Sequence, residues 1–192
     1  FVIVDYFKPG AELAKNVHHK IKSSENANVV FLLNHGVVVA GETVTEVLKT
    51  LDTILSKLEA KIYITENNIN RKLDDNYLTL FEKHGYTSAD SCRFHDFSLN
   101  STLFSIISDK WALFPDHVVF LGPKAVAGDR EFLEEYLNAN KNEMPPYIFC
   151  KNIGTFQHKS LTKAQFEQLG CFYDVVVRQK DFEKIVVLSE TS

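Results

Sequence analysis

Cysteine is scarce in this sequence. Cys92, Cys150 and Cys171 are the three in 192 residues. Their odd number and the absence of any CxxC pair argue against a disulfide framework and fit a reducing cytoplasm. Cys150 and Cys171 have apolar neighbours and read as core residues. Glycine-rich phosphate loops are missing as well: neither GxGxxG nor GxxxxGK[ST] occurs. Without a GxSxG elbow, a serine hydrolase has no support. No apolar run reaches roughly 18 residues, so no membrane span is expected, and no stretch reads as a secretory signal. Positive charge is not concentrated. The formal net charge is -4, and the nearest basic cluster, His18-His19-Lys20-Ile21-Lys22, reads as a solvated helix end. Nucleic acid is therefore not an expected partner.

What is present is ordinary for a globular protein: 45% hydrophobic and 24% charged residues, in a chain long enough for one or two domains. Phe1–Val4 reads as a strand, broken by Lys8-Pro9-Gly10. Leu13, Ala14, Val17 and Ile21 then recur at helical spacing over about 11–23. Val29 to Leu33 and Val37 to Val39 read as buried strands on either side of Asn34-His35-Gly36. Thr43 and Glu46 make a capping box for a helix reaching to about residue 65. Residues 66–110 read as a helical connector, opening with the polar run "ENNINRKLDD". Beyond it the spacing predicts a strand at His117–Leu121, a helix over 129–140 and a strand at Tyr147–Cys150. A helix capped by Thr162 and Gln165 follows, and Ile185–Leu188 is a last strand or a helix end.

The two ends share one order: strand, glycine, helix, strand, Asn-x-Gly, strand, capped helix. At an offset of 118, Gly10 falls on Gly128, Phe31 on Phe149, Asn34 on Asn152, Gly36 on Gly154 and Leu51 on Leu169. The chain therefore reads as two degenerate repeats. The fold class expected is α/β, a three-layer αβα arrangement around a mixed, largely antiparallel sheet. Where the first copy has His35 the second has Ile153. The turn itself thus does not need histidine; its glycine is expected to supply the unusual backbone angles. His35 becomes the candidate for chemistry, because a neutral imidazole at a strand end is a common zinc ligand. The plain alternative is a buried histidine bonded to a backbone carbonyl.

Tyr6-x-x-Pro9-Gly10-x-x-Leu13-Ala14, a strand, then Asn34-His35-Gly36-x-x-Val39-x-Gly41-x-Thr43 together resemble the class II aldolase/adducin family over about residues 1–65. The resemblance implies that His35 is the last of three histidine ligands to a catalytic zinc. That zinc would act as a Lewis acid on a small sugar or sugar-phosphate substrate and stabilise an enediolate. Reversible aldol cleavage is the leading activity implied; a sugar-phosphate 4-epimerase and a non-catalytic, adducin-like assembly module are alternatives. A cytoplasmic homo-oligomer is implied too. The family's other two ligands form a His-x-His pair, and none occurs in this sequence. Together with the opening on Phe1-Val2-Ile3-Val4, inside a strand-like run, this reads as a fragment, the C-terminal half of the aldolase-like domain, inactive alone. Residues 111–188 are more faintly similar to the C-terminal extension of longer members, in "FPDHVVFLGP" and "YIFCKNIGTF". The segment 111–192 is expected to be a second, degenerate aldolase-like unit. No catalytic acid or base is assigned. His117, and the group His95-Asp96 beside Arg93, are weaker candidates, expected respectively at a capped turn and in an exposed loop.

Overall fold

The computed structural model describes residues 1–25, 27–58, 62–64, 75–141 and 144–189. The chain divides into two compact units, residues 1–61 with 188–192, and residues 62–187. Each has its own mixed sheet, so the single sheet expected from the sequence is in fact two.

The first unit runs β1 (Val2–Val4), α1 (Ala11–Lys22), β2 (Val29–Leu32), β3 (Gly36–Val39), α2 (Val44–Leu58). β1 pairs parallel with β2, Val2 facing Val30, and β2 pairs antiparallel with β3, Leu32 facing Gly36. The cap of α2 differs by one residue from the expected box. Glu46 N–H donates to Thr43 Oγ1 at 3.2 Å, but the return bond runs from Glu42 N–H to Glu46 Oε2 at 2.8 Å. The expected continuation of α2 to residue 65, and the polar run at 66–75, fall largely outside the described residues.

The second unit holds α3 (Asp75–Glu82), β4 (Tyr86–Ser88), a 3₁₀ turn (Cys92–His95), α4 (Asp96–Leu99), α5 (Ser101–Asp109) and α6 (Pro115–Leu121). Then come β5 (Val126–Gly128), α7 (Arg130–Ala139), β6 (Tyr147–Cys150), β7 (Gly154–His158) and α8 (Lys163–Val176). Its strand order is β4-β7-β6-β5, with β5–β6 parallel and the other two pairings antiparallel. β6 is central and buried along its length. Because side chains alternate across a strand, Tyr147 and Phe149 point to one core and Ile148 and Cys150 to the other. The first core is closed by Phe97, Ile107, Leu121, Phe172 and Val176 from α4, α5, α6 and α8, with Trp111. The second is closed by Phe81, Leu133 and Leu137 from α3 and α7. Helices thus cover both faces of this sheet.

Several expectations are corrected. His117–Leu121 is not a strand but most of helix α6. Pro115 stands in its first turn, where a missing N–H is harmless, with Asp116 near the positive end of the helix dipole. Gly122, at φ +87°, ends it. A short apolar run does not by itself distinguish strand from helix, and the burial repeats four residues apart, at His117 and Leu121. Ile185–Leu188 forms neither strand nor helix. Cys171 is exposed, whereas Cys150 is buried as expected.

Candidate functional site

His35 sits in the turn between β2 and β3. Its N–H donates to Leu32 O at 3.1 Å, and the preceding Leu33 N–H donates to Val4 O at 3.0 Å, so the turn is tied to two strands. Asn34 adopts a left-handed conformation at φ 53°, and Gly36 lies at φ 153°. The turn between β6 and β7 in the second unit has Asn152 at φ 61°, while Gly154 does not take a positive φ. The feature common to both turns is therefore a left-handed asparagine, a residue enriched in that region, and not the glycine that the sequence singled out. The side chain of His35 is exposed, not sealed in hydrocarbon.

Residues 1–62 match the family model Class II Aldolase and Adducin N-terminal domain. The match carries both motifs, Pro9-Gly10 at the head of α1 and Asn34-His35-Gly36 at the β2–β3 turn. No curated protein and no solved structure matches the chain. In this aldolase/adducin segment the residues present do not by themselves make a zinc site. Among the described residues no three His, Cys, Asp or Glu side chains converge to hold a metal ion. His18 and His19 stand exposed on α1.

The other candidates lie in the second unit. His117 is fully buried. Its ring meets Trp111, Phe114 and Phe172 nearly edge-on, at centroid distances of 4.3, 5.5 and 4.6 Å. Neither ring nitrogen has a hydrogen-bond partner, and burial lowers its pKa from 6.5 to about 3. It is a neutral member of an aromatic core rather than a residue of a capped turn. The group around His95 is likewise not an exposed loop. Asp96 is buried and accepts a bond of 2.7 Å from the Tyr173 hydroxyl. Arg93 lies over the rings of Phe94 and Tyr173 and 3.5 Å from Asp174. Thr155 donates from Oγ1 to Phe94 O at 2.6 Å and shares a bond of 2.9 Å with Ser98. These contacts fasten the 3₁₀ turn and α4 to β7 and α8. The available signal was Phe94 and Phe97, three residues apart and both buried, bracketing the polar pair.

Proposed function

We propose that residues 1–62 form part of a class II aldolase-type site. In this reading His35 is one zinc ligand and the remaining donors lie outside the described residues. The activity of the complete assembly would be zinc-dependent aldol cleavage of a small sugar or sugar phosphate in the cytoplasm. The observation that carries the reading is the presentation of His35: an exposed imidazole on a strand-to-strand turn fixed by backbone bonds, within the matched segment. With one donor in place, this chain's own part is to hold that imidazole rigidly. A non-catalytic, adducin-like assembly module is the second reading. It is favoured by α2, none of whose residues is buried and on which Val44, Leu48, Leu55 and Leu58 each stand more than half exposed.

The same reading makes the segment expected as a second aldolase-like unit, residues 111–192, a degenerate copy of the first. It is supported by the recurrence of β1-α1-β2-β3-α2 as β5-α7-β6-β7-α8, with one parallel and one antiparallel pairing each. At the 118 offset, β2 falls on β6 and Asn34 on Asn152, whereas β1 is displaced from β5 by six residues. The deciding experiment measures zinc per chain and aldol cleavage in the protein as expressed from its own gene, wild type against His35→Ala. Loss of zinc and of turnover together in the variant is expected. Equal zinc in both removes His35 from any site, and a metal-free, inactive wild type favours the assembly module.

A further inference from the structure

The last rung between β4 and β7 is not made by backbone alone. Ser88 faces Phe156, which puts Ala89 opposite Thr155. Ala89 N–H donates to Thr155 O at 3.0 Å. In an antiparallel hydrogen-bonded pair the return bond would run from Thr155 N–H to Ala89 O. Here an imidazole stands in between: Thr155 N–H donates to His95 Nδ1 at 3.1 Å, and His95 Nε2 lies 3.2 Å from Ala89 O. Ser88 Oγ is 3.4 Å from the same Nε2.

Only one protonation state completes this relay. Nδ1 must be bare to accept from an amide, and Nε2 must carry the proton to donate to a carbonyl. An imidazolium sets an N–H of its own against the N–H of Thr155. The charged groups of the neighbouring elements are engaged elsewhere. Asp96 accepts from Tyr173 on α8, Asp90 is bonded by Gln157 of β7, and Arg93 pairs with Asp174 of α8. His158, at the end of β7, is bonded to Ser160. Burial holds the His95 pKa below its ordinary value, opposed in part by the Ala89 carbonyl. We propose that His95 is an acid-sensitive latch: as a neutral imidazole it closes the β4–β7 edge, and on protonation it releases the Thr155 amide.

Histidine-selective ¹⁵N NMR near neutral pH tests the premise in the unmodified protein. An Nε2–H tautomer is expected at His95; an Nδ1–H tautomer or an imidazolium overturns the proposal. Amide exchange then tests the consequence. As pH falls from about 7.5 to about 5, across the histidine range, protection of Thr155 should drop several-fold more than that of Phe149. Parallel loss at both amides overturns the latch, as does persistence of the acid step in His95→Gln.

Discussion

His117 shows how much a single ring can decide. A buried polar group without a partner costs roughly 1–3 kcal/mol, and both nitrogens of this ring lack one. The edge-on aromatic rings around it replace hydrogen bonding only weakly. His117→Phe should therefore stabilise the second unit by about 1 kcal/mol near neutral pH, the larger ring offsetting part of the gain. The pH dependence has a definite sign. Between 6.5 and about 3 the unfolded chain binds a proton at this residue that the folded chain refuses. Stability is thus full above the upper value and falls as pH falls, by roughly 1.4 kcal/mol per pH unit through that window. His95, lowered for a similar reason, adds a loss of the same sign. Trp111 is the single tryptophan and is buried beside His117, so its fluorescence follows this unit alone. Urea titrations near pH 7.5 and near pH 5 should show a smaller acid loss in the variant than in the wild type; equal losses would show that His117 does not titrate this way.

At the scale of elements, the caps carry measurable stability. Thr162 Oγ1 accepts from Gln165 N–H at 3.3 Å, and Gln165 Oε1 accepts from Thr162 N–H at 2.9 Å, so two free amides at the head of α8 are bonded reciprocally. Thr162→Ala should cost about 1 kcal/mol, read as a shift in the Trp111 unfolding midpoint, with Thr162→Ser close to wild type. This box was legible in the sequence because its residues lie three apart. Most helices were legible for a similar reason: their apolar period is local. The sequence reading failed where tertiary context decided. Val118-Val119-Phe120-Leu121 fits either element, and Pro115 and Gly122 set the outcome. The pairing of Ala89 with Thr155 through His95 joins residues about sixty apart and leaves no local trace. The candidate site was half legible: Asn-His-Gly marked the turn, but which of its residues is left-handed emerged only from the backbone.

At the scale of the whole molecule, burial is unevenly shared. In the second unit two apolar clusters flank a central strand that is buried from Tyr147 to Cys150. In the first, the buried hydrophobic residues among those described are Val4, Val29 and Val30, and neither α1 nor α2 buries any residue. Local stability follows buried apolar contact, at about 25 cal/mol per Å², so the first unit should open far more readily. Hydrogen exchange in dilute protein should find the amides of β2 much less protected than those of β6, although both are central strands with the same pairing on either side. Equal protection would show that something other than the described packing holds β2. Raising the protein concentration turns the same measurement on the assembly reading. An assembly that covers α2 and the edge strand β3 would slow exchange at β2 and leave β6 unchanged, because binding stabilises the folded unit that it engages. If β2 exchanges at one rate at every concentration, self-association is not what those exposed side chains serve.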